Sequence, residues 1–415
     1  MINQTPQHDH YDVVIIGAGM VGATLACALT HQLTDPGKIL LVEASLIHTG
    51  KAAQPGFDAR STVLSASSVD YLRTLGLWQA MQAAATPIHH IQVSDQGHFG
   101  GVHMQGSDAR VEALGHVVEN PVIGQALNQA LLDSAAIELC CPVQVTAVKP
   151  QPGSMLLSLQ ADDKVYSISA ALVVLAEGGR SGLMQQLGIH INSHSYGQSA
   201  VIANLAMLQP HQHIAYERFT GKGPLALLPL TTHAGAQRMA LVWTHPQDEI
   251  ASVMALSDAD FIARLQADCG QAAGQILQVG KRAVFPLTLQ VAEEQFRPRL
   301  ALLGNVAHTL HPVAGQGFNL ALRDAMALAA NVRQSLQARQ DPGSVLRLQA
   351  WWEVVQKDQL RTITFSDVMT RLFSTNNTAM AVLRKLGMIG IELLPPVKQH
   401  LARQAMGYQS PVVRL

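Results

Sequence analysis

Residues 11–22 read YDVVIIGAGMVG, and within them Gly17, Gly19 and Gly22 form G-x-G-x-x-G. At a strand-to-helix turn this spacing suits a pyrophosphate. The first glycine permits the tight turn, the second lets the backbone approach the phosphates, and the third lets helix and strand pack closely. The N–H groups and the positive end of the following helix face the anion. The next strand, KILLVE, ends at Glu43, where an acid is placed to hold a ribose hydroxyl. No arginine lies nearby for a 2′-phosphate, so FAD or NAD is expected here rather than NADP.

Two further strand ends carry glycine. LVVLA runs into Glu177, Gly178 and Gly179, and LALL runs into Gly304 and Asn305. Beyond the second come His308, His311 and then Gly315, Gln316 and Gly317, just before a helix. Ligands gather at the carboxyl ends of strands in an open parallel sheet. Three glycine-bearing ends therefore imply one extended ligand. A helix N-terminus at Gly315–Gly317 would stabilise the negative charge of a reduced flavin. His308 and His311 lie between these loops and are candidates for proton transfer. Their H-x-x-H spacing lacks a third ligand, so no metal site is expected.

The elements that must position these groups follow from the pattern. A strand–helix–strand unit spans about 11–45, a helix lies near 66–84, and short strands with turns occupy 88–120. A helix near 123–135 returns the chain to further strands, which end in the buried run ALVVLAEGG. From about 190 to 290 apolar and polar residues alternate, as in an antiparallel sheet. Residues 299–330 then read strand, loop, long helix, and the chain is helical from about 345. The expected class is α/β. A Rossmann-like dinucleotide domain with a parallel sheet takes 11–87, 116–185 and 286–345. An inserted mixed or antiparallel-sheet substrate domain takes 88–115 and 186–285, and a helical C-terminal region takes 346–415.

The bulk composition narrows the partners. Of 415 residues, 14% are charged, against about 25% in ordinary soluble domains. The net charge is −1, which gives no reason to expect nucleic acid. A mean hydropathy of +0.15 fits an apolar ligand, contact with a membrane surface, or a large core with an oligomer interface. Cys27, Cys140, Cys141 and Cys269 show neither metal nor disulfide spacing, which fits a reducing cytosol. The first residues, MINQTPQHDH, carry no signal-peptide pattern, and no apolar run is long enough to span a bilayer. The stretch 379–404 is apolar with Arg384, Lys385, Lys398 and Arg403, and suits a membrane surface, a multi-enzyme assembly or a cap on the dinucleotide domain.

With these glycine ends in this order, the chain resembles the class A flavoprotein aromatic hydroxylases. PGFDAR (55–60), SDQGHFG (94–100), ERFTGKGPLALLPL (217–230) and GNVAHTLHPVAGQGFNLALRDAMALA (304–329) are similar to the ubiquinone-biosynthesis hydroxylases. The nearest subgroup is the 2-polyprenyl-6-methoxyphenol hydroxylases. The resemblance covers about 11–395.

It implies FAD, with Gly17, Gly19 and Gly22 on the pyrophosphate and Glu43 on the adenosine ribose. Arg60 would contact the flavin side, and Gln125 the ribityl or phosphate region. Gly304 and Asn305 would lie at the ribityl chain, and Gly315, Gln316 and Gly317 at the isoalloxazine ring. Glu177 with Gly178 stands for the family's D-G, and Asn305 for the Asp of its G-D. Arg218 and Phe219 fall on a strand expected to roof the substrate ring.

The implied reaction is hydroxylation of an electron-rich phenol through a flavin C4a-hydroperoxide, with NAD(P)H as a transient reductant and no second Rossmann fold. The implied partners are a polyprenyl phenol, O2 and other ubiquinone-biosynthesis proteins, with peripheral contact at the inner face of a membrane. The same chemistry at another ring position or on another aromatic stays open. So does a non-catalytic flavoprotein scaffold.

Overall fold

The computed structural model describes residues 2–33, 35–47, 56–97, 101–179, 181–310, 315–373, 392 and 394–408. The chain opens with β1 (Ile2–Asn3), β2 (His10–Ile16), α1 (Met20–Thr30) and β3 (Ile39–Val42). Next come β4 (Ser61–Ser65), α2 (Ala66–Thr74), α3 (Trp78–Gln82) and β5 (Thr86–Ile88). The single helix expected near 66–84 is thus two. Gly76 adopts φ +72°, Leu77 N–H bonds Leu72 O, and Gly76 N–H bonds Arg73 O, a Schellman end that closes α2.

β6 (His90–Asp95), β7 (Gly101–Gln105), β8 (Gly115–Glu119) and α4 (Asn120–Asp133) follow, then β9 (Ile137–Cys140), β10 (Gln144–Gln151), β11 (Ser154–Ala161), β12 (Lys164–Leu175) and α5 (Leu183–Gln186). The middle of the chain forms β13 (Ile191–Met207), β14 (Ile214–Thr220), β15 (Gly223–His233), β16 (Ala236–Pro246), α6 (Ile250–Met254), α7 (Asp258–Cys269), β17 (Ile276–Val279) and β18 (Ala283–Ala292). β19 (Phe296–Arg297), β20 (Leu300–Leu302), β21 (His308–Thr309), α8 (Gln316–Gln337), α9 (Val345–Phe373) and α10 (Pro395–Ala405) complete it.

The first sheet has the order β1-β9-β3-β2-β12-β11-β10, with β20 beside β12. β9, β3, β2, β12 and β20 pair in parallel, while β10 and β11 fold back as an antiparallel extension. Parallel strands are covered on both faces, which is why β2 ends in the unbroken apolar run Val13–Ile16. From Val13 onward its residues alternate between two cores. Val13 and Ile15 join the core formed with α1, α4 and α8, whereas Tyr11, Val14 and Ile16 join the core under β10, β11 and α5.

The second sheet has the order β21-β18-β13-β16-β15-β14-β6-β7, so residues near 90–105 join those of 191–292 across a long excursion of chain. One face of this sheet packs Leu225, Leu227, Leu241 and Trp243 against Phe261 and Leu265 of α7. A small sheet, β4-β8-β5, lies apart from both; sequence periodicity alone did not reveal it. A buried ion pair stitches the parts together. Arg238 of β16 lies 3.1 Å from Glu119 of β8, with 2% and 5% of the side chains exposed. Arg238 also donates to Phe57 O, and Asn204 Nδ2 donates to Phe57 O and Ala59 O, which fixes the turn preceding Arg60.

Candidate active site

The parallel strands end in one row. Cys140, Val42, Ile16, Leu175 and Leu302 are mutual partners across β9, β3, β2, β12 and β20. One residue later the same backbone bond recurs. Glu43 N–H donates to Cys140 O at 2.9 Å, Gly17 N–H to Val42 O at 2.8 Å, Ala176 N–H to Ile16 O at 2.8 Å and Leu303 N–H to Leu175 O at 2.9 Å. Gly17, Glu43, Glu177–Gly179 and Gly304–Asn305 therefore emerge side by side at the carboxyl edge, where open α/β sheets take ligands.

The glycine turn fits a pyrophosphate. Gly17 has φ +103°, and a Cβ there would stand 2.7 Å from Glu177 Cα. A Cβ on Gly22 would stand 1.9 Å from Gly17 O. These two glycines serve packing. Gly19 differs, because among the described residues no atom beyond its own helix and chain neighbours lies within 4 Å of where its Cβ would be. It is the N-cap of α1 and, being glycine, supplies no side-chain cap to that helix. The backbone at Gly19 is thus open to approach from outside.

Glu43 sits at the lip of this turn. Its Oε2 accepts from Ala18 N–H at 2.8 Å and its Oε1 from Ser45 N–H at 2.9 Å. Each carboxylate oxygen keeps a lone pair for a hydroxyl. Glu177 accepts from Ser181 N–H at 3.2 Å, and Gly178 beside it is exposed with φ +78°. Gly304 has φ +70° and packs on Val21 of α1, while Asn305 is exposed in the turn after it. Arg60 is exposed, its guanidinium 5.5 Å from the Phe285 ring centroid. Its carbonyl accepts from Asn120 N–H at 2.8 Å, at the start of α4, the helix that carries the exposed Gln125.

At the third glycine end, Gly315 is the left-handed N-cap of α8. A Cβ there would come within 3.0 Å of Val63 Cβ, whereas a Cβ on Gly317 would meet nothing within 4 Å among the described residues. Gln316 turns toward the C-terminal helix, donating to Ala405 O at 3.1 Å. His308 is enclosed. It is 2% exposed, its Nε2 lies 2.8 Å from Asp324 Oδ2, and Gln359 donates to the same carboxylate oxygen at 2.9 Å. This ring bonds into the core between α8 and α9 and does not line the cavity described next. His311 lies outside the described residues. Among the described residues no cluster of three or more His, Cys, Asp or Glu could hold a metal.

A cavity of about 450 Å³ joins the α8 end to the second sheet. Gly315, Gly317 and Phe318 border it on one side, and Leu401, Ala402, Ala405 and Met406 of α10 on another. The second sheet supplies the roof, through Ile91, Ala215, Phe219 and Leu228 among others. Phe219 thus faces the cavity. Arg218 does not, because successive strand residues point to opposite faces. Its guanidinium reaches Gly270 at the end of α7, which corrects its expected place over a substrate ring. The same alternation turns Glu217 toward the cavity. Sequence reasoning passed over Glu217, and the parity of β14 with Ala215 and Phe219 was the available signal.

The sequence matches the family described as FAD binding domain over residues 10–345. It is 33% identical over 396 residues to the ubiquinone hydroxylase UbiL of Rhodospirillum rubrum, covering 95% of this chain and 89% of that protein. It is 28% identical over 403 residues to the 3-demethoxyubiquinol 3-hydroxylase of Escherichia coli, covering 95% and 98%. Among solved structures, the p-nitrophenol 4-monooxygenase PnpA from Pseudomonas putida superposes with a TM-score of 0.76 at 15% identity, covering 98% of this chain and 100% of that one. That likeness shows the fold, an α/β architecture of the class A flavoprotein monooxygenases. The chain belongs to the FAD-binding family and, within it, to the ubiquinone-biosynthesis hydroxylases. It is an FAD-dependent oxidoreductase of the aromatic-hydroxylase class, with NAD(P)H as the reductant typical of that class.

Proposed function

We propose, with membership of this flavoprotein family as the premise, that the chain hydroxylates a 2-polyprenyl-6-methoxyphenol to the 1,4-benzoquinol in ubiquinone synthesis. The observation that carries the reading is the apolar cavity between the second sheet and the Gly315–Gly317 loop. Its size falls in the range of small-molecule sites. Its walls suit an aromatic ring with the start of a prenyl tail.

Gly17, Gly19 and Gly22 would hold the FAD pyrophosphate and Glu43 the adenosine ribose. Arg60, Gln125, Glu177, Gly178, Gly304 and Asn305 would line the path of the cofactor, and Gly315, Gln316 and Gly317 its ring end. Bound FAD, reduced by NAD(P)H, supplies an electrophilic oxygen atom from O2. The protein's share is to orient the ring and exclude water. Phe219 and Phe318 would flank the ring, and the aliphatic wall around them keeps the reacting centre dry.

A polyprenyl tail resides in a membrane, and α10 offers a route toward one. Its inner face borders the cavity, while Leu394 and Val397 at its start are 54% and 41% exposed. Lys398 is tied to Asp108 and Glu392, whereas Arg403 is exposed; Arg384 and Lys385 lie outside the described residues. Among the described residues no helix is long and apolar enough to cross a bilayer, so the contact proposed is peripheral.

The test is mass spectrometry of products from FAD-loaded protein given NAD(P)H, labelled O2 and a short-tailed 2-prenyl-6-methoxyphenol. One labelled oxygen para to the original hydroxyl supports the reading. Flavin oxidation that releases only peroxide would assign the chain to another phenol or another step.

A further inference from the structure

We propose that Glu217 binds the ring hydroxyl of the phenolic substrate and takes its proton as the ring is oxygenated. This rests on the aromatic-hydroxylase reading above.

Val102, Val93, Glu217, Ala226, Val242 and Ile202 are successive cross-strand partners on β7, β6, β14, β15, β16 and β13. All six line the cavity, and Glu217 alone among them is polar. An apolar side chain at this position would complete the wall at no cost. Glu217 is half-buried and borders the cavity, so a ligand that fills the cavity completes its desolvation, which costs free energy unless that ligand binds it. Among the described residues no hydrogen bond or charge acts on the Glu217 carboxyl.

Its surroundings set its chemistry. Burial pushes the carboxyl up to about 8, with no charged neighbour acting on it. Among the described residues, the walls contributed by β4, β6, β7, β13, β15, β16, α8 and α10 bring no charged or titratable side chain to the cavity, and Tyr216, next to Glu217, is the one other titratable residue that lines it. Asp95, the partner of Phe219 on β6, is buried outside the lining. The carboxyl is thereby brought toward the range of a phenol, near 10, and proton transfer is easiest between groups so matched.

The balance is simple. One oxygen atom of O2 bonds to the ring carbon and the other leaves as water, with the two electrons supplied by NAD(P)H. The phenolic proton passes to the Glu217 carboxylate as the ring takes up oxygen. It returns to that ring oxygen when the ring C–H proton is lost and aromaticity is restored.

The test compares wild type with Glu217→Gln and Glu217→Asp, each loaded with FAD. The probes are a short-tailed 2-prenyl-6-methoxyphenol and its O-methyl ether, which lacks the donor. Wild-type kcat/KM should fall as pH drops below about 8, where the carboxyl becomes neutral. Glu217→Gln should lower kcat/KM by about a hundredfold and abolish that limb, while Glu217→Asp should restore part of the rate together with the limb. Wild type should bind the phenol at least about tenfold more tightly than the ether, and the Gln variant should lose this preference. A Gln variant with unchanged kcat/KM and the same pH limb overturns the role and leaves the hydroxylase reading standing. Wild type that hydroxylates no phenol overturns both. If the Gln variant does not fold, an Asp variant with unaltered rate and pH limb overturns the role by itself.

Discussion

Asn319, one turn into α8, takes the place of a strand neighbour for β4. Its Nδ2 donates to Val63 O at 2.8 Å, and its Oδ1 accepts from Ser65 N–H at 2.8 Å. The same Nδ2 also donates to Gly315 O at 2.8 Å. One amide thus locks the Gly315 turn to the small sheet at the edge of the cavity.

Asn319→Ala should leave a buried N–H and a buried carbonyl unpaired. A loss of about 2–3 kcal/mol in stability is expected, with weaker FAD retention. Denaturant unfolding and flavin release on dilution measure the two effects. Unchanged values for both would reduce Asn319 to a bystander.

Gly19 and Gly22 should separate ligand from fold. A Cβ at Gly19 meets no atom of the described residues beyond its own helix and chain neighbours, so Gly19→Val should fold with near-normal apoprotein stability and lose FAD. A Cβ at Gly22 collides with Gly17 O, so Gly22→Ala should damage the packing of α1 on β2 as well. Thermal melts of the apoproteins, with flavin absorbance after loading, distinguish the two. A Gly19→Val protein that purifies fully yellow would refute the pyrophosphate assignment.

His308 should behave as a scaffold residue. Its ring bonds Asp324, which also accepts from Gln359, and Trp351 donates to the Asp324 carbonyl. His308→Gln is expected to cost roughly 1–3 kcal/mol while kcat of the FAD-loaded fraction stays within about threefold of wild type. A loss of about a hundredfold or more in kcat with intact stability would instead make it an acid–base group.

Acid should weaken the second sheet through His245. The ring is fully buried, 4.3 Å from the Trp243 centroid, and neither nitrogen has a hydrogen-bond partner among the described residues. Burial, reinforced by Arg264, holds it down to about 4. Between pH 6.5 and about 4 the unfolded chain takes up a proton that the folded chain refuses, so stability falls as pH falls across that window. The loss is on the order of 3 kcal/mol. His245→Phe keeps the ring and should flatten that part of the stability–pH curve; an unchanged slope would count against the assignment.

Much of the dinucleotide cradle was legible because it is local. A strand, three glycines, a helix and an acid on the next strand lie within a few dozen residues, and each has a steric reason to be what it is. The break at Gly76 shows the limit of that approach, since a glycine inside an apolar period reads as helix until its positive φ closes the turn. The choice of Arg218 over Glu217 shows a second limit. Both lie on one strand, and which of them faces a ligand depends on which face of β14 meets the cavity.

The sequence by itself determined the cofactor class, the α/β frame and the three strand ends that converge. Spacing along the chain dictates those features through backbone geometry. Tertiary structure alone decided that Glu217 faces the cavity, that His308 Nε2 bonds Asp324, and that Asn319 clamps Val63. The first and the last depend on pairing between segments far apart in the chain, and the second on how the segment after β20 packs on α8; in all three, register and burial, rather than residue type, set what a side chain can reach.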